Sequence, residues 1–286
     1  MKIKKVGVVG CGIMGSGIAQ ICAQSGYEVM VSDINEERLN KGLASIDKSL
    51  AKIVEKGKLS QESKDSVLSR INGSISATDF SGFSDCDFII EAVTEDIGIK
   101  KNVFVNINKV CSDHTIFASN TSTLSVINLA AVTTKADKTM GMHFFNPAPI
   151  MQLVEIVRTI ATSDETIRVG KEFAKSLGKT CIIAQDIEGF IANRLTTPFF
   201  LSAIRMVEAN FATAEDIDTA MRLGYNHPMG PLALLDLIGL DTFLLGVSAM
   251  YEETKDPQFA APTLLKKMVA GGWIGRKTGR GFHIYK

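Results

Sequence analysis

The 286-residue sequence predicts an α/β protein in which a mostly parallel N-terminal sheet precedes an all-helical C-terminal domain. Three observations predict it. Short apolar runs alternate with helical segments over the first 186 residues, as is typical of parallel sheets. A glycine-rich turn follows the first apolar run. Beyond Gln185, only the helical spacing of apolar residues persists. We therefore expect two domains, residues 1–186 and 187–286.

The first elements form one βαβ unit: a strand over residues 6–9, a helix over 13–24 and a strand over 28–32. Apolar residues then recur at intervals of three and four between about 35 and 70, with a break near Gly57. This spacing predicts a helical hairpin inserted between strands. Because the segment is long and polar, we expect the hairpin to stand off the sheet.

Further strands are predicted at 71–75, 87–91, 115–118, 139–144, 152–157 and 180–184, with helices at 99–110 and 164–177. The second domain has helical spacing over 190–210 and 214–223. Gly230 and Pro231 then begin another helix, since the absent N–H of proline costs nothing in a first turn.

The composition argues against several classes of protein. The formal net charge is zero, whereas nucleic-acid binders usually carry a basic excess. No apolar run approaches the roughly eighteen residues of a membrane span, and the N-terminus lacks the apolar region of a secretory signal. The five cysteines are unclustered, which argues against a metal site and fits a reducing compartment. We expect a cytoplasmic protein that binds neither metal, membrane nor nucleic acid.

A dinucleotide-binding turn follows the first strand, with the sequence Gly10-Cys11-Gly12-Ile13-Met14-Gly15. Its context is that of a Rossmann-like domain, because a strand precedes it and a helix follows. Gly10 permits the tight turn, Gly12 lets the pyrophosphate approach, and Gly15 lets helix and strand pack closely. Asp33 ends the second strand, where a carboxylate accepts hydrogen bonds from ribose and disfavours a 2′-phosphate. NAD is therefore expected as the cofactor, and only Arg38 nearby keeps NADP open.

One histidine is placed for acid–base chemistry. His143 ends a predicted strand and Glu155 lies in the next, with Asn146 and several prolines between them. A turn centred on Pro149 would set residues 143 and 155 opposite each other, with Cβ atoms about 5 Å apart. The carboxylate would then orient the imidazole and fix its tautomer, as a general acid–base catalyst requires. From these residues alone, a histidine bonded to backbone at a strand end is an equal alternative.

Two other segments carry more polar residues than packing needs. Residues 119–123 (Ser-Asn-Thr-Ser-Thr) follow a predicted strand at the carboxyl edge of the sheet, where open α/β sheets bind ligands. Residues 189–194 contain Asn193 at the start of the helical domain, and an asparagine there is most often a helix cap.

These segments together resemble the L-3-hydroxyacyl-CoA dehydrogenase family, most of all its stand-alone bacterial 3-hydroxybutyryl-CoA dehydrogenases. The resemblance extends in order over nearly the whole chain. The matching segments are residues 10–15, Glu91-Ala-Val-Thr-Glu95, Ala118-Ser-Asn-Thr-Ser122, His143-Phe-Phe-Asn-Pro147, Leu153-Val-Glu155, Gly189-Phe-Ile-Ala-Asn-Arg194, Pro228-Met-Gly-Pro231 and residues 275–282.

The resemblance implies a role for each matching residue. His143 would be the catalytic acid/base with Glu155 as its partner. Ser122 would bind a substrate oxygen, and Asn193 would help to position the substrate and the histidine. Four more residues would lie near the nicotinamide half of NAD: Glu95, Lys100, Asn146 and Lys277. The family also implies an acyl-CoA thioester substrate and a homodimer or larger homo-oligomer.

The hairpin gains a possible role from the same resemblance. Lys48, Lys52 and Lys56 recur every four residues, so they share one helical face. Lys52 and Lys56 could bind the phosphates of CoA, and a solvated helix face is the alternative.

The expected reaction is NAD-dependent, reversible oxidation of (S)-3-hydroxyacyl-CoA to 3-oxoacyl-CoA, on the 3-hydroxybutyryl-CoA and acetoacetyl-CoA pair. One alternative is a dehydrogenase of a free 3-hydroxy acid or sugar acid, and another is a non-catalytic NAD-binding structural protein. The segment from Tyr251 to Lys255 matches the Tyr-x-x-x-Lys pattern of short-chain dehydrogenases. No Rossmann strand precedes it, so we interpret that match as coincidence.

Overall fold

The computed structural model describes residues 2–77 and 79–285. The chain divides into two compact units, the first ending at Ile187 and the second beginning at Glu188. The first unit contains the sheet and the second is mostly helical. The fold class predicted from the sequence is confirmed, and the predicted element bounds differ from the observed ones by one or two residues.

In the described residues, eight strands form one sheet in the order β3-β2-β1-β4-β5-β6-β7-β8. Neighbouring strands are parallel except for β6 and β7, which are antiparallel. The carboxyl ends of β1, β4, β5 and β6 therefore share one edge. The strands are β1 (Lys5–Val9), β2 (Glu28–Asp33), β3 (Ile71–Ile75), β4 (Phe88–Glu91), β5 (Ile116–Ser119), β6 (Thr139–Phe144), β7 (Leu153–Arg158) and β8 (Thr180–Gln185).

The helices of the first unit pack on both sides of the sheet, and buried apolar clusters lie on each side of it. They are α1 (Ile13–Gln24), α2 (Glu36–Glu55), α3 (Gln61–Leu68), α4 (Ile97–Val110), α5 (Ile127–Ala130) and α6 (Asp164–Ser176). The four-residue α5 was not predicted, because one helical turn carries too little periodicity to detect.

The hairpin consists of α2 and α3, with Asn35 and Ser60 as N-caps whose side chains accept backbone N–H groups. The expectation that it stands off the sheet is wrong. Ile46 and Leu50 are at most 1% exposed and belong to the same core as the sheet. Gly42 permits this packing, since a Cβ there would overlap the backbone and thiol of Cys11. One face of α2 thus lies against the glycine-rich turn.

The second unit has its own apolar core, formed by its helices. They are α7 (Ala192–Glu208), α8 (Ala214–Gly224), α9 (Pro231–Ile238), α10 (Leu240–Thr254) and α11 (Thr263–Ala270). Helix α9 begins at Pro231 after Gly230, as predicted. The C-terminal segment is held by the buried Asp236 carboxylate, which accepts the N–H groups of Phe282 and His283 and the Tyr285 hydroxyl.

Within the described ranges, no single helix is long and apolar enough to cross a membrane. The pair α9 and α10 passes that test only when its two helices, bent by 97°, are taken together. The same residues contain no group of three or more His, Cys, Asp or Glu side chains arranged to hold a metal ion.

Candidate active site

The glycine-rich turn has the shape that a dinucleotide requires. Gly10 has φ +99°, and a Cβ there would lie 2.6 Å from the carbonyl oxygen of Ala92. A Cβ at Gly15 would overlap the carbonyl oxygen of Gly10, so helix α1 can approach β1 only with glycine at this position. At Gly12, by contrast, a Cβ would meet no atom within 4 Å. Space therefore remains at the position where a pyrophosphate approaches the backbone.

The N-terminus of α1 supplies the electrostatic part of this site. Gly12 is the N-cap, so no side chain occupies the hydrogen-bond donors of the first turn. Those N–H groups and the helix dipole favour an anion. Asp33 lies beside the turn at the end of β2, and its carboxylate accepts the N–H of Cys11 at 2.9 Å and that of Ile34 at 2.8 Å. These residues fit a dinucleotide with an unmodified ribose.

His143 and Glu155 pair across the antiparallel strands β6 and β7, which is the register that a turn centred on Pro149 predicts. The His143 Nδ1 lies 2.7 Å from the Glu155 Oε2. The glutamate is fully buried and the histidine is 6% exposed. Because a carboxylate accepts, Nδ1 carries the proton of this hydrogen bond. The neutral ring can therefore accept a proton at Nε2, and the protonated ring can release it from the same atom.

Ser122 lies in the loop between β5 and α5, and Glu95 fixes its backbone. The Glu95 Oε1 accepts the Thr121 hydroxyl at 2.5 Å, the Ser122 N–H at 2.9 Å and the Thr123 N–H at 3.2 Å. In the described part of the chain, the Ser122 hydroxyl itself has no hydrogen-bond partner, so it can bind a ligand.

Asn120 joins this loop to the strand of His143. Its Oδ1 accepts the N–H of Phe144 at 2.9 Å, although the β5–β6 ladder ends at the pairing of Ser119 with Gly141. The loop of Ser122 and the end of β6 are thereby held together beyond the sheet.

Glu95 contacts a buried ion pair, which Lys100 forms with Glu91. The Lys100 Nζ, on a side chain only 1% exposed, lies 2.7 Å from Glu91 Oε1 and 3.2 Å from Glu95 Oε2. Glu91, fully buried, also accepts the hydroxyl of Ser119 at 2.6 Å. Burial tends to raise the pKa of Glu95, but the charge of Lys100 and the donors of the loop outweigh it and lower that pKa. Glu95 is therefore an ionised acceptor near neutral pH.

A cavity of about 180 Å³ lies between α1, α2 and the loop that follows His143. We call it the α1–α2 cavity. Its polar lining includes Ser45 and Ser49 on α2 and Ser16 and Gln20 on α1, and residues 146–149 also line it. Asn146 thus lines the cavity, three residues beyond His143. Sequence reasoning missed both serines of α2, although their spacing of four places them on one helical face.

Lys52 and Lys56 continue the face of Ser45 and Ser49, since 45, 49, 52 and 56 are spaced by four, three and four. Both lysines are exposed. They do not line the cavity, but the same face of the hairpin leads from it to them.

The remaining predicted residues belong to the second unit. Asn193 is the second residue of α7, whose N-cap is Ile191, so Asn193 does not occupy the cap position. Lys277 is paired with Asp241, with its Nζ 2.6 Å from Oδ2.

Fold and site together define a dinucleotide-binding oxidoreductase with a histidine–carboxylate pair. Residues 5–187 match the model of the 3-hydroxyacyl-CoA dehydrogenase NAD binding domain, and residues 189–285 match the model of the C-terminal domain. The chain belongs to the 3-hydroxyacyl-CoA dehydrogenase family, as its sequence motifs predicted.

Individual relatives match over nearly the whole of this chain. The chain is 44% identical to a 3-hydroxybutyryl-CoA dehydrogenase of Mycobacterium tuberculosis, over 99% of both chains. It is 41% identical to the mitochondrial hydroxyacyl-coenzyme A dehydrogenase of Sus scrofa, over 99% of this chain and 92% of that protein. The crystal structure of (S)-3-hydroxybutyryl-CoA dehydrogenase from Ralstonia eutropha superposes with a TM-score of 0.95 and 43% identity, covering 100% of both chains.

Proposed function

We propose that this protein catalyses the NAD-dependent, reversible oxidation of (S)-3-hydroxyacyl-CoA to 3-oxoacyl-CoA, with 3-hydroxybutyryl-CoA and acetoacetyl-CoA as its substrate pair. The observation that carries the proposal is the buried hydrogen bond between His143 and Glu155 at the carboxyl edge of the sheet. The substrate pair is supported by the names of the M. tuberculosis and R. eutropha relatives.

The cofactor is NAD, bound at the turn of Gly10, Gly12 and Gly15 with Ile13 and Met14 in the first turn of α1. The matched NAD binding domain and the space at Gly12 support this assignment. Asp33 favours NAD over NADP, because a 2′-phosphate would meet a negative charge. When bound, the nicotinamide exchanges a hydride with C3 of the substrate.

His143 transfers the proton that accompanies the hydride. In the reductive direction, its Nε2–H donates to the oxygen that forms on C3, and in oxidation the neutral Nε2 removes the hydroxyl proton. Glu155 holds the ring in one tautomer and one orientation through Nδ1. The pair therefore works in both directions without rearrangement of its hydrogen bond.

Ser122 and Asn193 donate to the substrate oxygens, so that negative charge develops against fixed donors. Glu95 fixes the backbone of Ser122, and Lys100, being fully buried, acts through Glu95. Asn146 and Lys277 are assigned to the nicotinamide half of the cofactor on the family resemblance.

We assign the α1–α2 cavity to part of the pantetheine chain of CoA. Ser45 and Ser49 offer hydroxyl groups to the amides of a pantetheine chain, and the chain would leave along the α2 face toward Lys52 and Lys56. Two lysines at that end supply the positive charge that the CoA phosphates need.

The second unit also carries large exposed apolar side chains, which support the homodimer implied by the family. Leu195, Phe211, Leu223, Tyr225 and Leu245 are each 73–80% exposed.

The deciding experiment follows NADH absorbance with acetoacetyl-CoA for the wild type and for His143→Ala. We expect fast turnover that falls by about a hundred- to ten-thousand-fold in the variant, the usual share of general acid–base catalysis. The control is His114→Ala, because His114 is a surface histidine bonded to Ser112. Wild-type protein that binds NADH but does not turn over acetoacetyl-CoA would contradict the proposal. Free 3-hydroxy acids would then be the next substrates, and absence of turnover with those would indicate a structural protein.

A further inference from the structure

The loop that carries Ser122 has a second half, which Glu95 does not touch. Residues 124–127 lead from the loop into α5, a helix of only four residues. The first N–H groups of such a helix have no partner within it, and α5 has no side-chain cap from its N-cap residue Val126. Their partner has to come from elsewhere in the fold.

That partner is Asp186, which directly follows β8. Its Oδ1 accepts the N–H of Val126 at 2.7 Å, and its Oδ2 accepts the N–H of Ile127 at 2.7 Å and the Ser125 hydroxyl at 3.2 Å. Asp186 is itself anchored, because its N–H donates to the carbonyl of Arg158 at 3.0 Å. One carboxylate at the end of the edge strand β8 therefore accepts hydrogen bonds from three donors of the loop.

The two carboxylates divide the loop between them. Glu95 binds donors of residues 121–123, and Asp186 binds donors of residues 125–127. Ser122 belongs to the stretch bound by Glu95, and the stretch bound by Asp186 begins three residues later at Ser125. The path of the backbone through Ser122, and with it the direction of the hydroxyl, therefore depends on both carboxylates. Charge-assisted hydrogen bonds to backbone N–H groups are short and directional, so they suit such positioning.

We propose that Asp186 is a positioning residue for the Ser122 hydroxyl, acting through Ser125, Val126 and Ile127. This inference rests on the proposed function, in which Ser122 donates to a substrate oxygen. If the Ser122 hydroxyl is displaced by a fraction of an ångström, it no longer stabilises the negative charge that develops on the substrate oxygen in the transition state. Loss of the Asp186 contacts then affects turnover through Ser122 alone.

The test is a double-mutant cycle in the reduction of acetoacetyl-CoA by NADH, with Asp186→Asn, Ser122→Ala and both together. The amide of asparagine has one acceptor oxygen in place of two, so at least one backbone N–H loses its partner. We expect Asp186→Asn alone to lower kcat about ten- to a hundredfold with an unchanged KM for NADH. In the Ser122→Ala background, the same change should lower kcat less than twofold, since the group it positions is absent.

Asp87→Asn is the matched control. The Asp87 carboxylate also accepts two backbone N–H groups, those of Lys4 at 2.7 Å and Lys5 at 3.0 Å, but at the opposite edge of the sheet. Both N–H groups bond to Oδ2, so the amide oxygen of asparagine can keep them, and the variant removes the charge of a backbone-binding carboxylate. It should leave kcat unchanged. Ser125→Ala, which removes one donor to Asp186, gives a milder variant for the same cycle if Asp186→Asn does not fold.

Three outcomes distinguish failure of the proposed function from failure of the positioning role. A wild type without activity would refute the proposed function. An active wild type in which the effects of Asp186→Asn and Ser122→Ala multiply would refute the positioning role alone. Coupling between the two changes, absent for Asp87→Asn, would support it.

Discussion

Replacing Glu155 by glutamine removes one charge from the buried pair while the side chain keeps its size. In the native protein the carboxylate, fully buried, accepts from His143 Nδ1 at 2.7 Å. An amide can present its oxygen and keep this hydrogen bond, or present its NH₂ group and drive the ring proton to Nε2. In the second arrangement, the neutral ring cannot accept a substrate proton at Nε2.

The size of the effect follows from what the pair supplies. A positioned acid–base catalyst contributes about a hundred- to ten-thousand-fold, or about 2.7–5.4 kcal/mol of transition-state free energy. Glutamine retains the shape of the site but no longer fixes one tautomer. We therefore expect Glu155→Gln to lower kcat about a hundred- to a thousandfold. The KM for NADH should not change, because the glycine-rich turn follows β1, which β4 and β5 separate from β6 in the sheet.

The assay is NADH consumption with acetoacetyl-CoA, together with a thermal melt of each protein. Glu165→Gln is a suitable control, because Glu165 is an exposed glutamate in a surface ion pair with Arg168. A Glu155→Gln protein that melts like the wild type and keeps kcat within about threefold would refute the role of the pair, since that change is far below an acid–base contribution.

The other predictions concern the loop support, the cavity and the cofactor. The folded-state pKa of Glu95 lies below its usual 4.5, so its carboxylate stabilises the fold above that pH and ceases to do so as pH falls through the lowered pKa. The melting temperature of Glu95→Gln should therefore lie furthest below that of the wild type near neutral pH and approach it in acid, and a difference independent of pH would contradict this. Ser49→Leu fills the α1–α2 cavity and should raise the KM for acetoacetyl-CoA about tenfold, equivalent to about 1.4 kcal/mol, with the KM for NADH unchanged. Ala44→Leu, on a neighbouring exposed face of α2, should leave both KM values unchanged, and equal effects of the two changes would rule out the cavity as the CoA site. Asp33→Ser should lower the ratio of kcat/KM for NADH over NADPH at least about tenfold, and an unchanged ratio would show that Asp33 does not select the cofactor.

Local patterns were enough to predict the fold class and much of the site geometry. The glycine-rich turn and Asp33 are separated by one βαβ unit, so strand and helix spacing alone bring them together. His143 and Glu155 also lie close in sequence. A single reversal of the chain and the two-residue period of a strand determine that they oppose each other.

Residues that act across the fold could not be predicted in the same way. Asn120 binds the backbone of β6, Glu91 binds Lys100 from the next helix, and Asp186 binds a loop sixty residues earlier. Such contacts have no period and no fixed spacing, because they depend on which strands become neighbours. The position of the hairpin was wrong for a related reason. Its polar composition suggested exposure, while Gly42 and a narrow apolar stripe are what allow α2 to pack.

The antiparallel pairing of β6 and β7 places an unusual constraint on the loop that joins them. Surface loops usually tolerate insertions and deletions at small energetic cost. Here the loop between Phe144 and Leu153 sets the register, and one added residue would turn the Glu155 carboxylate to the opposite face of the sheet. Two added residues would restore the face but move Glu155 away from His143. The length of this loop is therefore as tightly specified as the identity of the two residues that it aligns.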